Sequence, residues 1–285
     1  MSNNRVKNIS QKIKGTSSFV KILIVIFAVI FIIGLIIWII FIIKNKVTYV
    51  RNNPVILSGE ISADTTSQEK KAYIIPNLPT SINGNLYSYS IWIYINDYVR
   101  GYGDYKNIIS RSNKDRNTDT KIPSIDNDAV IEAPGIYLDK KMNKLIAYTS
   151  VIDSSANVCE INNIPLNKWN HIVYVLNQNN VDLYLNGKLE KSCVINGIAN
   201  TNTSYNLYIG KDTGFNGKFA QLQYFTEAIE PNKVTELYNG GPVGTNKFVL
   251  DDKNNKFSNI NYSKLKNDIC SGDTNDIGQI LKNNL

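Results

Sequence analysis

The segment from Asn167 to Cys193, NKWNHIVYVLNQNNVDLYLNGKLEKSC, holds several side chains that are able to do chemistry. It includes His171, which is the only histidine of the chain, together with Trp169 and Cys193. A histidine can act as a general base or bind a metal, and a cysteine can act as a nucleophile or form a disulfide. Either role for His171 requires a second group in the same site, and a lone histidine has no second histidine to share one. The segment is therefore a poor candidate for catalysis.

Motifs that mark common enzymes are missing from the sequence. There is no G-x-S-x-G, no P-loop, no G-x-G-x-x-G and no H-E-x-x-H. Hydrolysis of a glycoside needs two carboxylates that flank the bond, presented by a strand. The nearest acidic group, Asp126, Asp128 and Glu132, lies in the polar segment NKDRNTDTKIPSIDNDAVIEA instead. We therefore predict that the chain is not an enzyme.

The residues around the segment indicate a β-sheet protein. In LYSYSIWIYIND, Ile91, Ile93 and Ile95 alternate with Ser90, Trp92 and Tyr94, which is the period of a strand with one buried face. Asn186-Gly187 is typical of a two-residue hairpin turn. The segment itself predicts three antiparallel strands, Asn170 to Leu176, Val181 to Leu185 and Lys188 to Val194. Other short runs of the same kind favour a sandwich or jelly roll.

The N-terminal region predicts a membrane anchor. Residues 22–43, ILIVIFAVIFIIGLIIWIIFII, contain no charge and are long enough to cross a bilayer as a helix. A cleavable signal peptide has a shorter apolar core and a small-residue cleavage site, whereas this run ends in Lys44-Asn45-Lys46. Five basic residues precede the span and three follow it before residue 52, which predicts a type II orientation with residues 1–21 in the cytoplasm.

The positive net charge of +7 belongs to this anchor region. Eight of the 31 Lys and Arg residues and none of the 24 Asp and Glu residues lie in residues 1–51. The rest of the chain therefore carries 23 basic and 24 acidic residues. A domain with this balance lacks the basic surface that binds phosphate backbones, so nucleic acid is excluded as a partner.

The domain organisation follows from these patterns. Residues 44–54 are interpreted as a stalk, residues 55–242 as the β domain and residues 243–285 as a loosely packed polar tail. One helix is predicted inside the β domain, beginning at Pro231 and ending at Asn239-Gly240-Gly241-Pro242. Val234, Leu237 and Tyr238 share one face of it, and we expect it to pack across an edge or end of the sheets.

Several motifs together resemble a known family. CEINNIPLNKW and YLNGKLEKSC, followed by YNLYIG, GFNGKFAQLQYF and AIEPNKVTELYNGGP, are similar to a laminin G-like domain of the concanavalin A-like lectin/glucanase superfamily. The upstream YSYSIWIYINDYVRGYGDYKNIISR and APGIYLDKKMNKLIAYT extend the resemblance over residues 55–242. The variant it looks like is the membrane-anchored form found in large nucleocytoplasmic DNA viruses. A composition rich in Ile, Asn, Lys and Tyr agrees with that variant.

The resemblance implies an all-β jelly-roll sandwich of two antiparallel sheets, whose members mostly bind glycans or proteins. It also implies that Trp169 is a core residue, and His171 on the same strand is interpreted in the same way. Cys159 and Cys193 are then expected on neighbouring strands, where they would form either a disulfide or two buried free thiols. Cys270 is left without an assigned partner.

Two groups are candidates for binding. Tyr98, Tyr102 and Tyr105 would form an aromatic rim that stacks on sugar rings or contacts a protein, or else would be packing residues. Asp126 and Asp128 would hold calcium, as in some lectin-like domains, or else lie in a solvated loop. Asn202 and Asn261 begin sequons and would accept glycans in a lumenal domain.

The sequence and the resemblance therefore predict a non-enzymatic, single-span protein of a viral membrane that displays a lectin-like sandwich for glycan or protein recognition. Calcium is the one cofactor that the prediction allows. The partners of the protein would be the lipid bilayer and a glycan or protein ligand. The alternative is a structural virion component that links the membrane to capsid or envelope proteins without binding a glycan. A degenerate glycoside hydrolase is the third hypothesis, and the missing carboxylates argue against it.

Overall fold

The structure, a computed structural model, describes residues 18–67, 72–81, 84–113, 131–152, 154–200, 204–212, 214–242 and 247–248. The chain divides into two compact units between residues 51 and 52.

The described residues of the first unit form helix α1, Ser18–Asn52, whose last residue belongs to the second unit. Its large apolar side chains from Ile22 to Ile43 are exposed, and by length and composition the helix is able to cross a membrane. The helix continues through residues 44–52 of the segment 44–54 that is interpreted as a stalk, because no Gly or Pro interrupts the chain before Pro54.

The second unit contains thirteen described strands and one described helix. The strands are β1 Val55–Asp64, β2 Tyr73–Ile75, β3 Leu86–Ile95, β4 Lys106–Ser112, β5 Glu132–Leu138, β6 Lys144–Val151, β7 Ser154–Asn162, β8 Trp169–Asn177, β9 Asn180–Leu185, β10 Lys188–Val194, β11 Asn206–Ile209, β12 Gly214–Phe225 and β13 Lys247–Phe248. The helix is α2, Pro231–Gly240, which lies between β12 and β13 in the chain.

The strands form two antiparallel sheets. One has seven strands in the order β10-β9-β8-β3-β12-β1-β13, and the other has six in the order β2-β11-β4-β5-β6-β7. The predicted all-β jelly-roll sandwich is confirmed. The predicted meander is also confirmed, since β8, β9 and β10 match the three predicted strands to within one residue at each end.

The main core lies between the sheets. Ile91, Ile93 and Ile95 of β3 and Ile172 and Tyr174 of β8 point into it, as the alternation of apolar side chains requires. The other face of β8 is apolar as well and carries Val173 and Val175, so the outer side of the seven-stranded sheet also needs a cover.

Helix α2 supplies that cover. Val234 is fully buried in a second apolar cluster with Val173, Val175, Phe225 and Ile229, against which Leu237 packs. The expectation that the helix packs across an edge or end of the sheets is therefore wrong. The apolar outer face of β8 explains the difference, because burying that face removes more apolar surface from water than capping an edge does.

The tryptophan and histidine of β8 lie on this outer side. Trp169, which was expected in the core, is only partly buried and meets the ring of Tyr94 edge-on at 5.6 Å between centroids. Trp169 is the first residue of β8 and packs against Tyr94 of β3, whereas His171 packs against Tyr238 of α2. His171 is completely buried, two residues further along.

A disulfide joins Cys159 of β7 to Cys193 of β10, with 5.9 Å between their α-carbons. β7 is an edge strand of the six-stranded sheet and β10 is an edge strand of the seven-stranded sheet. The bond therefore links the two sheets covalently along one side of the sandwich.

Candidate functional site

Three connections meet at one end of the sandwich and form a rim, which comprises residues 96–105, 139–143 and 163–168. They meet because β3 ends where β8 begins, with Tyr94 paired to Trp169. Backbone hydrogen bonds tie them together: the Gly103 N–H donates to the Lys140 carbonyl at 3.0 Å, and the Asn163 N–H donates to the Asn143 carbonyl at 2.8 Å. The rim is therefore a continuous surface built from three segments.

Lys106 is a buried residue that forms hydrogen bonds with two of these segments. The residue is 1% exposed, and its ammonium group donates to the carbonyl oxygens of Asp104 and Lys140, both at 3.3 Å, and of Asp139 at 3.5 Å. Burial lowers the pKa of Lys106, and the charges of Asp139 and Asp104 act in the opposite direction. A single side chain thus supports both the 96–105 loop and the 139–143 turn.

Tyr98 is a packing residue of the rim. Its ring packs against the main core, with the Lys106 ammonium 5.1 Å from the ring centroid. Its hydroxyl donates to Asn143 Oδ1 at 3.2 Å. Burial, with a smaller contribution from Asp139, raises the pKa of Tyr98 to about 12. The hydroxyl therefore stays protonated and joins the loop to the turn.

Tyr102 and Tyr105 differ in how far they reach solvent. The ring of Tyr105 lies under the ammonium group of Lys140, at 4.5 Å, and touches Tyr137 edge-on. Tyr102 is 66% exposed. Of the three predicted aromatic residues, Tyr102 is the one that the rim presents most openly.

Other apolar side chains of the three connections are exposed as well. Val99 is 81% exposed, Met142 56% and Leu166 39%, one from each connection. Exposed apolar side chains grouped at loop tips are typical of binding surfaces. These residues and Lys106 were not predicted from the sequence, because isolated apolar loop residues carry no periodic signal and a lysine is normally expected in solvent.

The acidic side chains of the rim hold its shape. Asp97 accepts hydrogen bonds from the Val99 N–H at 2.9 Å and from the Asn216 amide. Asp139 accepts the Lys141 and Met142 N–H groups. Within the described ranges, no group of three or more His, Cys, Asp or Glu side chains is placed to hold a metal.

Arg100 links the rim to β1. Its guanidinium group forms an ion pair with Asp64 and donates to Thr66 Oγ1 at 3.2 Å. Hydrogen bonds from the side chain and backbone of Thr66 lower the pKa of Asp64, and Arg100 adds to the effect.

The remaining predicted site residues, Asp126, Asp128, Asn202 and Asn261, lie outside the described residues, as does Cys270.

His171 lies away from the rim, under helix α2. Its ring contacts the ring of Trp92 at an angle of 31°, with 4.9 Å between centroids, and lies 6.1 Å from the ring of Tyr238 on α2. Its Nε2 atom shares a hydrogen bond of 2.8 Å with the Ser90 hydroxyl. Burial lowers the pKa of His171 to about 4, so the ring is neutral near pH 7.

The comparison with protein-family models identifies a superfamily. The family model described as the concanavalin A-like lectin/glucanases superfamily, of laminin G type, matches residues 67–235. A comparison with curated proteins finds no match.

Solved structures with a similar chain path are binding domains of botulinum neurotoxins. The serotype D binding domain is 12% identical with a TM-score of 0.49, over 67% of this chain and 47% of that one. The serotype D ligand-binding domain in complex with N-acetylneuraminic acid is 14% identical with a TM-score of 0.48, over 66% and 46% of the two chains. The chain thus spans about half the length of these structures. On the match of its sequence over residues 67–235, the chain belongs to the concanavalin A-like lectin/glucanase superfamily.

Proposed function

We propose that the chain is a single-pass membrane protein of type II topology, in which α1 is the anchor and the sandwich is displayed to bind a glycan or a protein ligand through the rim. The single observation that carries the proposal is the rim itself, with its exposed tyrosine and three exposed aliphatic side chains on a rigid support. No metal or catalytic group is required for this role.

The anchor and the disulfide support an extracytoplasmic sandwich. α1 is apolar on every face, and the basic residues that flank its apolar run favour a cytoplasmic N-terminus. Disulfides persist in oxidising compartments, and the Cys159–Cys193 bond lies in the unit that would be across the membrane.

The position of the rim within the sandwich supports recognition. The chain enters the sandwich at Pro54, whose carbonyl accepts the Tyr224 N–H, and the next residue of β12, Phe225, pairs with Ser88 near the start of β3. The rim follows the other end of β3, at Ile95. The rim therefore lies at the opposite end of the sheet from the point where the chain enters it.

A binding measurement with the full chain in lipid nanodiscs tests the proposal. We expect binding to a glycan array or to intact cells, and we expect Tyr102→Asp combined with Val99→Asp to abolish it. Leu189→Asp is the matched control, because Leu189 is 53% exposed on β10, outside the rim. Equal binding by the rim variant would refute the rim as the recognition surface, and calcium-dependent binding would point to Asp126 and Asp128.

A structural role in a virion is the second candidate, and a different surface favours it. Ile152, Val158, Val194 and Ile198 are 42% to 68% exposed beside the disulfide. The Ile152 N–H donates to the Ile198 carbonyl at 2.8 Å, so these residues belong to one side of the sandwich. In this role the sandwich contacts capsid or neighbouring membrane proteins, and Val194→Asp would disrupt assembly while leaving glycan and cell binding unchanged.

A further inference from the structure

The only histidine of the chain lies between the seven-stranded sheet and the helix that covers it. His171 is completely buried, and its ring contacts both Trp92 of β3 and Tyr238 of α2. The indole ring of Trp92 also stacks on Tyr238, at 5.7 Å between centroids. The three rings form one contact that joins the C-terminal part of α2 to the sheet.

The site accommodates a neutral imidazole and not an imidazolium. One ring nitrogen, Nε2, meets the Ser90 hydroxyl, whereas Nδ1 is buried with no hydrogen-bond partner among the described residues. A protonated ring carries two N–H donors and therefore needs two acceptors. This site provides one, so protonation would leave a buried charged donor unsatisfied, which is strongly unfavourable.

No charged side chain in the described elements around the ring compensates for the positive charge of a protonated His171. The outer-face residues of β3 next to the ring, Ser90 and Trp92, are uncharged. Asp182 of β9 is hydrogen-bonded to Ser192 and Asn180. On α2 the charged residues are Lys233 and Glu236, which pair with each other at 2.7 Å.

We propose that His171 is an acid-operated latch for α2: protonation of the ring releases the helix from the sheet and uncovers the apolar outer face beneath it. That face contains Val173, Val175 and Phe225, which are buried while α2 is docked. His171 faces α2, whereas the main core lies on the other side of the sheet. Movement of the helix therefore exposes the charged ring to water and leaves the main core packed.

The size of the effect follows from proton linkage. Burial holds the pKa of His171 at about 4, against 6.5 for a solvated histidine. At pH 5 the open form with a solvated ring is therefore favoured by a factor on the order of ten relative to its population at pH 7.

Hydrogen exchange of the full chain in lipid nanodiscs tests the latch. After correction for intrinsic exchange rates, peptides from residues 231–240 should lose protection by a factor on the order of ten between pH 7 and pH 5. Peptides from β4 and β5, which lie in the other sheet, should keep theirs. Unchanged protection of α2 at pH 5 would overturn the proposal.

Two variants separate the histidine from other titrating groups. His171→Gln keeps a polar neutral side chain and should remove the pH dependence, whereas Glu236→Gln removes a carboxyl from the same helix and should leave it unchanged. The same loss of protection in His171→Gln would overturn the latch. If His171→Gln does not fold, NMR of the wild-type chain labelled only in histidine measures the pKa of His171 directly, because the chain has a single imidazole. A pKa well below 6.5 supports the latch, and an ordinary pKa overturns it.

Discussion

The ring of Tyr238 lies directly against Gly187, so that a β-carbon on residue 187 would stand 3.0 Å from the Cδ1 atom of the tyrosine. Gly187 belongs to the Asn186-Gly187 turn between β9 and β10, and both residues have a positive φ. The hairpin glycine therefore serves two purposes: it allows the turn, and it allows α2 to approach the sheet.

Replacing Gly187 with alanine should destabilise the sandwich by about 1–3 kcal/mol, through the positive φ of +80° and the contact with Tyr238. Gly84→Ala is the matched control, because Gly84 has a φ of +76° and no atom lies within 4 Å of the position that a β-carbon would take there. Urea unfolding followed by tryptophan fluorescence measures both. Equal losses in the two variants would show that the Tyr238 contact contributes nothing.

Removing the disulfide should lower the free energy of unfolding by about 2–4 kcal/mol, because the bond closes a separation of 34 residues in the unfolded chain. Cys159→Ala with Cys193→Ala is the test variant, and Cys270→Ser is the control that should change nothing. Peptide mapping without reduction provides an independent check. Recovery of alkylated Cys159 from the native protein would contradict the pairing.

Lys106→Met should loosen the rim, because it leaves three carbonyl oxygens without their buried donor. We expect faster hydrogen exchange in residues 96–105 and 139–143 and a loss of about 1–3 kcal/mol in stability. Lys141→Met is the control, because Lys141 is exposed in the same turn. If the rim binds a ligand as proposed, Lys106→Met should weaken that binding although the side chain does not reach the surface.

Acid should destabilise the fold through His171. The folded-state pKa of about 4 lies below the ordinary value of 6.5, so the unfolded chain takes up the proton first. The free energy of unfolding is therefore unaffected by His171 well above pH 6.5 and falls as the pH decreases from 6.5 towards 4. At pH 5 the loss is about 2 kcal/mol. Urea unfolding at pH 7 and pH 5 measures this change, and the part caused by His171 should vanish in His171→Gln.

The sequence predicted the parts of the fold that follow from local patterns. β8, β9 and β10 have clear apolar alternation and an Asn-Gly turn, and α2 has a proline at its start and glycines at its end. The prediction failed where tertiary contacts decide. A strand at Cys159 was expected only from the family resemblance, because SSANVCEIN has too many polar residues for apolar alternation to show, and β7 is held by its pairing with β6.

The site was less accessible to prediction than the fold. Three tyrosines in one loop suggested an aromatic rim, but spacing in a loop does not tell which ring points outwards, and the structure turns Tyr98 inwards. The burial of Lys106 had no signal in the sequence, since it depends on three carbonyl groups brought together by two separate connections. The partner of His171, Tyr238, is likewise far away in the chain.

In the proposed function, α1 is the membrane anchor and the sandwich lies across the membrane from the N-terminus. Synthesis of the full chain in the presence of sealed microsomes, followed by protease treatment, is the decisive test of this arrangement. We expect a protected fragment that contains the sandwich with its disulfide, and removal of residues preceding α1. Digestion of the sandwich with protection of the N-terminal residues would contradict the proposed topology.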